Sequence, residues 1–249
     1  MRNMNLLPET IMKTGLIRVR QLRLRSGFLL IILFSQYLSA AQEIPVAVKD
    51  SVTYGLQAGL SFTHFSGHGQ YGYRPVGQNL VRFRGGGNVD IPLNNEISLR
   101  PELLLNWKGY KTHDSVVLKT QLMYVDIPVN ILFTLFSIHH GPNRKSAFKL
   151  GTGLYGGYAL HGKYQKDSTT SHIHFTEHQV PATVTDYGSY YKRFDAGINY
   201  FLEFSGVNFY SQIGASMGLV NIKPYMSNAP VSQALYKNTC INLTYGWRF

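Results

Sequence analysis

Alternation of apolar and polar side chains is the feature of this 249-residue sequence that most restricts its fold. Side chains on a β-strand point to its two faces in turn, so a period of two residues indicates a strand with two different faces. The segment 191–206 shows the pattern best. Its apolar positions are Phe194, Ala196, Ile198, Tyr200, Leu202 and Phe204, and the positions between them include Arg193, Asp195, Asn199 and Glu203.

Seven further segments carry the same alternation. They are 53–64, 80–93, 97–110, 122–136, 147–163, 207–221 and 235–249, and the pattern is weaker in the first two. The connections between the eight segments alternate in length. Long ones span about 64–79, 111–117, 165–190 and 223–234, whereas mostly short ones lie at Asn94-Asn95, 137–145 and Ser205-Gly206. This organisation predicts an all-β fold, an antiparallel up-and-down β-barrel of eight strands.

Alternation alone fits a soluble barrel, with its apolar face inside, as well as a membrane barrel, with its apolar face toward lipid. The aromatic residues favour the membrane barrel, because they gather on the apolar face near both ends of the strands. One set is Phe62, Phe83, Trp107, Tyr158 and Phe194, and the other is Phe133, Phe148, Phe204, Phe209, Tyr245, Trp247 and Phe249. Two aromatic belts around an aliphatic middle are typical of a bilayer with two interfaces. The predicted location is a bacterial outer membrane.

A transmembrane barrel turns its polar face toward the lumen. The predicted polar network of the lumen consists of Arg100, Glu102, Asp126, Lys149, Arg193, Asp195 and Glu203. The same face also carries Arg82, Arg84, Asp90, Lys108 and Arg248. Both signs of charge are present in near balance, so we expect these side chains to pair and to fill the lumen of a barrel this narrow.

The first 41 residues are predicted to be a cleaved signal peptide. A basic region with Arg18, Arg20, Arg23 and Arg25 precedes the short apolar run 28–34, and small residues at 39–41 precede Gln42. A single membrane anchor is the alternative, but the run is too short to span a bilayer comfortably. Met12 is an alternative start. Residues 42–50 would then form a short periplasmic segment, and residues 51–249 the barrel domain.

The last predicted strand ends on three aromatic residues of the apolar face, Tyr245, Trp247 and Phe249. An aromatic terminal strand resembles the insertion signal that the barrel-assembly machinery recognises. An ordinary edge strand is the alternative interpretation.

Several strand segments carry a family resemblance. They are 99–105 with Lys108-Gly109, then 124–129, 153–158, 194–197, 218–222 and 243–249. In these segments the chain resembles the PorT-like outer-membrane β-barrel proteins of Bacteroidetes-type bacteria. The resemblance implies the fold and the location. The member that gives the family its name is tied to protein secretion across the outer membrane, but the matching segments are strand patterns, which do not carry an activity.

The residues most suggestive of chemistry are His172, His174 and His178, in the longest loop. Imidazoles suit zinc, copper or nickel. A solvated loop tip is the preferred alternative, since no cysteine or second cluster supports a metal, and we expect no metal and no cofactor. His161, on the polar face of its strand, and Ser189 lie near the external rim, where a hydrolase or acyltransferase group is conceivable. Their spacing does not select such a group, so no catalytic residue and no enzyme are predicted.

Three hypotheses about function therefore remain open. The preferred one is a structural or interaction barrel whose external loops meet a protein partner. The others are an accessory barrel for secretion or small-solute transport, and an enzyme at the outer rim. Expected partners are outer-membrane lipid and, during insertion, the barrel-assembly machinery. Nucleic acid is not expected, because a nucleic-acid binder clusters its basic residues in a patch or stripe, whereas the 18 basic residues after position 41 are scattered among Tyr, Thr and Gly.

Overall fold

The computed structural model describes residues 51–69, 77–112, 118–139, 145–181, 184, 187–227 and 234–249. The predicted signal peptide, 1–41, and the predicted periplasmic segment, 42–50, lie outside these residues. Within the described ranges, no helix has both the length and the apolar character needed to cross a membrane.

Eight long strands make up the main sheet. They are β1 (Thr53–His68), β3 (Leu80–Pro92), β4 (Ile97–Thr112), β5 (Leu118–His139), β6 (Lys145–Lys166), β10 (Phe194–Ser205), β11 (Phe209–Gly218) and β12 (Leu235–Arg248). Four short strands accompany them: β2 (Gly77–Gln78), β7 (Thr169–His172), β8 (His174–Phe175) and β9 (Tyr190–Tyr191). A 3-10 turn occupies Tyr187–Ser189.

The eight long strands close into an antiparallel ring. Each pairs with its neighbours along the chain, β12 pairs back onto β1, and β6 pairs with β10 across the longest connection. Each unpaired backbone N–H or C=O group that is exposed to lipid costs roughly several kcal/mol. Closure of the ring removes the sheet edges at which such groups would be exposed. The prediction of an eight-stranded, up-and-down barrel is therefore confirmed.

The β3–β4 turn shows how local sequence closes one end of the ring. The side-chain oxygen of Asn94 accepts hydrogen bonds from the backbone N–H groups of Glu96, at 2.9 Å, and Ile97, at 2.7 Å. An asparagine that bonds its own following backbone stabilises a tight turn. This end, which also carries the C-terminus, is the periplasmic end of a barrel with short periplasmic turns.

The two faces of the wall have opposite polarity. Outward-facing apolar side chains are exposed, as Leu154 at 66% and Ile213 at 59% illustrate, whereas Arg100 and Glu203 point inward and are 0% exposed. A soluble barrel has the reverse arrangement, with the apolar side chains inside. The wall is therefore built to face hydrocarbon, as a transmembrane barrel requires.

Aromatic side chains ring the periplasmic end of the outer wall. A chain of neighbouring rings, with centroids 4.7–6.2 Å apart, runs through Phe136, Phe148, Phe204, Phe209 and Tyr245. Toward the external end, the Phe83 and Trp107 rings lie 6.1 Å apart. The distribution gives the wall two aromatic borders, as expected at the two interfaces of a bilayer.

Glycines make room for aromatic rings that point into the lumen. A Cβ atom on Gly151 would lie 2.2 Å from the Phe201 ring, and one on Gly246 would lie 2.1 Å from the Tyr210 ring. Each glycine sits directly opposite the aromatic residue on the neighbouring strand. The glycine content of the strands therefore serves lumen packing.

Two register shifts interrupt the alternation between β5 and β6. Near the external end, Met123 pairs with His161 but Tyr124 pairs with Ala159, so Leu160 is an extra residue in β6. Leu160 and His161 are consequently both exposed, and His161 is not on the polar inner face where the alternation placed it. A bulge shifts a strand by one residue, which moves every later side chain to the other face.

The polarity of the wall predicts a specific response at Ile198, which faces outward near the middle of β10 between Leu154 and Met217. Ile198→Arg is expected to destabilise the barrel by about 2–4 kcal/mol, because an arginine near the bilayer midplane is poorly solvated. Ile198→Phe serves as the control and should cost little, since fluid lipid accommodates a larger apolar side chain. Denaturant unfolding in lipid vesicles measures both. A large cost for the phenylalanine variant would indicate a packed interior at this position.

Candidate functional site

The periplasmic half of the lumen holds a four-residue ion cluster, here called the Arg100 cluster. Arg100 forms ion pairs with Asp90 and with Glu203, the latter at 2.5 Å. Arg248 binds the same two carboxylates, at 2.9 Å to Asp90 and 2.6 Å to Glu203. Two cations thus share two anions, and the cluster is neutral. These side chains come from four strands, β3, β4, β10 and β12, so the cluster connects opposite parts of the wall.

Tyr210 completes this cluster. Its ring lies 4.8 Å from the guanidinium carbon of Arg100 and 4.7 Å from that of Arg248. A cation over an aromatic face gains attraction that increases when water is excluded. Gln212 adds a hydrogen bond of 2.9 Å to Glu203. The Glu203 carboxylate is therefore satisfied by donors from three other side chains.

The external half of the lumen holds a second cluster, here called the Lys108 cluster. The ammonium of Lys108 lies 3.0 Å from both Asp126 and Asp195. It also lies 4.6 Å from the ring centroid of Tyr124 and 4.5 Å from that of Tyr155. The cluster has two carboxylates and one cation, and neutral side chains donate further hydrogen bonds to both carboxylates. Asn106 donates to Asp126 at 2.9 Å, and Asn238 and Tyr155 donate to Asp195 at 2.8 and 3.2 Å.

The remaining members of the predicted network have different surroundings. Glu102, which is buried, accepts hydrogen bonds from Gln57 at 2.7 Å and from Asn130 at 3.1 Å. Lys149 lines the wide periplasmic mouth of the barrel. Arg193 lies just before β10 and stays out of the ion clusters. Its guanidinium lies over the rings of Phe175 and Tyr158, and it donates to the Ala159 carbonyl at 3.0 Å.

The structure therefore separates Arg193 from Asp195, although a continuous strand would place both on one face. The strand begins at Phe194, so the alternation does not extend back to Arg193.

Side chains fill the lumen at the level of both clusters. Arg100, Glu203 and Asp195 are 0% exposed and Lys108 is 1% exposed, which leaves no space for a water molecule against them. The periplasmic mouth is an open cavity of about 380 Å³ whose lining includes Asp90, Lys149 and Arg248. Between the clusters, a cavity of about 20 Å³ lies beside Glu102. A filled cross-section is typical of an eight-stranded barrel.

Above the external mouth, the segments 173–181, 187–193 and 219–227 fold over the barrel and form what we call the cap. Its central contact is the ammonium of Lys223, which donates to the backbone carbonyls of Tyr187, Gly188 and Tyr190 at 3.0, 2.9 and 2.8 Å. The ammonium also lies 3.8 Å from the centroid of the Tyr191 ring. Lys223 is 2% exposed. One buried cation thus holds two loop segments together.

An apolar core lies beneath the cap. Ile173, Tyr191 and Ile222 of the cap pack with barrel side chains at the external end, namely Phe65, Tyr110, Leu122, Tyr124, Ala159 and Tyr164. Burial raises the pKa of Tyr187 to about 12. Its hydroxyl, which is protonated at neutral pH with or without this shift, donates to the Pro224 carbonyl. The cap is a packed structure with its own buried side chains and hydrogen bonds.

The three histidines of the candidate metal site have separate partners. His172 lies at the end of β7, where its ring contacts the His161 ring at 5.6 Å. His174 stacks on Tyr190 at 5.2 Å, and His178 is exposed. In the part of the chain that the structure describes, no group of three or more His, Cys, Asp or Glu side chains could hold a metal ion.

The residues of the conceivable enzyme group are also in different environments. His161 faces outward from β6, whereas Ser189 is 2% exposed in the 3-10 turn of the cap. The register shift at Leu160 is the reason that His161 points away from the lumen.

Sequence reasoning missed Lys223 and the aromatic partners of the lumen cations. The inward position of the Tyr210 ring could have been predicted, because Tyr210 lies on the polar face of its strand and a glycine on the same face of the next strand, Gly246, leaves room for the ring. Lys223 lies in a loop without periodicity, so the sequence carries no signal for its contacts.

A closed ring with an apolar outer wall, two aromatic borders and a charged, filled interior defines a transmembrane β-barrel. The sequence profile of the outer membrane protein beta-barrel domain family matches residues 34–223. The chain belongs to this family, and the protein is a bacterial outer-membrane protein.

Solved structures with some similarity to this chain include the following three. The attachment invasion locus protein Ail of Yersinia pestis is 13% identical with a TM-score of 0.38, and Neisserial surface protein A (NspA) is 9% identical with a TM-score of 0.36. The N-terminal β-barrel domain of Pseudomonas aeruginosa OprF is 10% identical with a TM-score of 0.30. Each match covers 80% of this chain and 100% of the other. No curated protein matches the sequence.

The Lys108 cluster predicts a large effect for a single substitution. Lys108→Met removes the one cation of this cluster and leaves two buried carboxylates facing each other, so the free energy of unfolding should fall by about 3–5 kcal/mol. The double variant Lys108→Met/Asp195→Asn should recover part of this loss, because only one carboxylate then remains. Unfolding in vesicles measures both variants. Equal stabilities of the single variant and the wild type would mean that the cluster is hydrated.

Proposed function

We propose that this protein is a non-catalytic interaction barrel that presents its external cap to a protein partner. The observation that carries the proposal is the folded cap, in which the ammonium of Lys223 donates to three backbone carbonyls of the opposite loop segment. A preorganised surface binds with a smaller loss of conformational entropy than a flexible loop does. The barrel anchors this surface at the outside of the cell.

The lumen supports the same proposal. The charges of the Arg100 cluster balance one another, and its two central members, Arg100 and Glu203, are fully buried. A selectivity filter would instead present charges of one sign to a hydrated path. A scaffold role fits such an interior better than a transport role does.

The absence of catalysis is part of the proposal. The histidines at positions 161, 172, 174 and 178 make ring contacts or face solvent, and His161 faces outward from the wall whereas Ser189 is buried in the cap. The closer affiliation with PorT-like proteins, and with it a part in secretion, stays a prediction that rests on the strand segments 99–105, 124–129 and 153–158.

The filled lumen predicts low conductance. Purified protein in planar bilayers should show no stable, porin-like current steps, because charged side chains occupy the cross-section at two levels. The double variant Arg100→Ala/Glu203→Ala opens the lumen only at the level of the Arg100 cluster. It should also conduct poorly, because the Lys108 cluster still fills the external half. Large steps from the wild-type protein would favour the transport hypothesis over the interaction hypothesis.

The cap can be tested separately from the barrel. Lys223→Met leaves three carbonyls without their donor, at a cost on the order of 1–3 kcal/mol for each buried group, and should loosen the cap while the barrel stays inserted. Hydrogen exchange should accelerate at two backbone N–H groups of the cap. That of Lys192 donates to the Ile222 carbonyl within the cap, and that of Ile222 donates to the Tyr236 carbonyl of β12. Lys192→Met is the matched control, since that half-exposed side chain contacts only the Tyr225 ring among the described contacts.

Partner binding is tested with a photoreactive residue at one of two exposed sites, Gln179 in the cap or Asn95 in the periplasmic turn. We expect a discrete protein adduct in intact cells from position 179, its loss in the Lys223→Met background, and its absence from position 95. An adduct that is unchanged by Lys223→Met would show that the folded cap is not the binding surface. No adduct from position 179 would contradict the proposed function.

A further inference from the structure

The external end of the outer wall carries a group of lysines, here called the lysine patch, which consists of Lys111, Lys119 and Lys163. Lys111 of β4 and Lys119 of β5 are directly opposite each other in the ladder. Lys119 is opposite Gln165 of β6, two residues from Lys163. Their inward neighbours, Tyr110, Thr112, Thr120, Gly162 and Tyr164, are buried, so all three lysines point outward.

The register gives the spacing of the patch. Residues directly opposite on neighbouring strands have Cβ atoms about 5 Å apart, and diagonal neighbours are about 7–8 Å apart. The three flexible side chains can therefore bring their ammonium groups to a single anionic group. Histidines extend the patch at its lower edge, because His172 is opposite Lys163 and the rings of His161 and His172 are in contact at 5.6 Å.

The height of the patch places it at the level of lipid headgroups. In the ladder, Trp107, Met123 and His161 form one row across β4, β5 and β6. Tryptophan side chains prefer the membrane interface. Lys163 is two residues and Lys111 four residues beyond this row, about 7 and 13 Å along their strands. Because the strands of a transmembrane barrel tilt by about 35–45°, these lysines lie about 5 and 10 Å further from the hydrocarbon. The patch thus stands on the barrel wall just outside the aromatic border.

The lysines of the patch differ from the lumen cations in their lack of a direct ion pair within the described part of the chain. None of the ion pairs there includes Lys111, Lys119 or Lys163. The lumen clusters show the opposite arrangement, with each cation paired to a carboxylate. Like charges directly opposite in a sheet are destabilising. An anion that binds between these lysines would remove the repulsion.

We propose that the lysine patch binds the phosphate groups of a phosphorylated lipid in the external leaflet of the outer membrane. Lysine is a common phosphate ligand that acts as a point charge, and basic side chains near a membrane surface attract anionic headgroups. A lipid headgroup is favoured over a soluble anion because the patch is continuous with the lipid-facing wall and lies just outside the row of Trp107, Met123 and His161. The site is independent of the cap and of its protein partner.

Native mass spectrometry of the purified full chain in neutral detergent, titrated with diphosphorylated lipid A, tests this proposal. Lys119→Gln, at the centre of the patch, should weaken binding about fivefold, and the variant that changes all three lysines to Gln on the order of 100-fold. Lys237→Gln is the matched control, because Lys237 also points outward near the external end of β12 but is opposite Ser66 and not another lysine. Its binding should equal that of the wild type.

Two further measurements make the outcome decisive. Lipid A without phosphate groups should bind weakly to every variant, and inorganic phosphate at the same phosphate concentration should not displace lipid A. Equal losses in Lys119→Gln and Lys237→Gln, undiminished binding of the dephosphorylated lipid, or displacement by free phosphate would each overturn the proposal. Gel mobility of unheated samples verifies that the variants contain folded barrels.

Discussion

Every backbone polar group of a chain that crosses a bilayer must find its partner within the protein, and the structure depends on this constraint. The eight strands satisfy it by closing β12 onto β1 and β6 onto β10. Closure fixes which face of each strand meets lipid and which meets the lumen. The apolar face is then stabilised by lipid, so the protein does not need an apolar core within the membrane.

The interior consequently depends on polar side chains for its packing. Without water, a buried charge must have a charged or hydrogen-bonding partner. The Arg100 and Lys108 clusters provide these partners from the opposite side of the ring. Arg100 and Lys108, both of β4, form ion pairs with Glu203 and Asp195 of β10, respectively. Such pairs act as cross-links between strands that share no backbone hydrogen bonds. The lumen therefore specifies the barrel while the wall provides the contact with lipid.

The external end differs from the rest of the barrel. There the strands β5 and β6 extend to 22 residues each, and an apolar core forms between their ends and the cap. The ammonium of Lys223 donates to backbone carbonyls in the cap, whereas no ion pair among the described residues includes a lysine of the patch on the wall outside. The same residue type thus stabilises the cap in one place and offers a charged surface in the other.

The sequence by itself determined the eight strands, their order and the inward position of residues such as Arg100 and Glu203. These follow from a period of two residues, which is a local property of the chain. It could not determine that Arg100 pairs with Glu203, since the two are 103 residues apart and meet only through the register of the closed ring. It also could not place His161, because one extra residue at Leu160 reverses the face. The position of Lys223 was decided by tertiary structure alone, because its partners are backbone carbonyls, which every residue has and no sequence pattern marks.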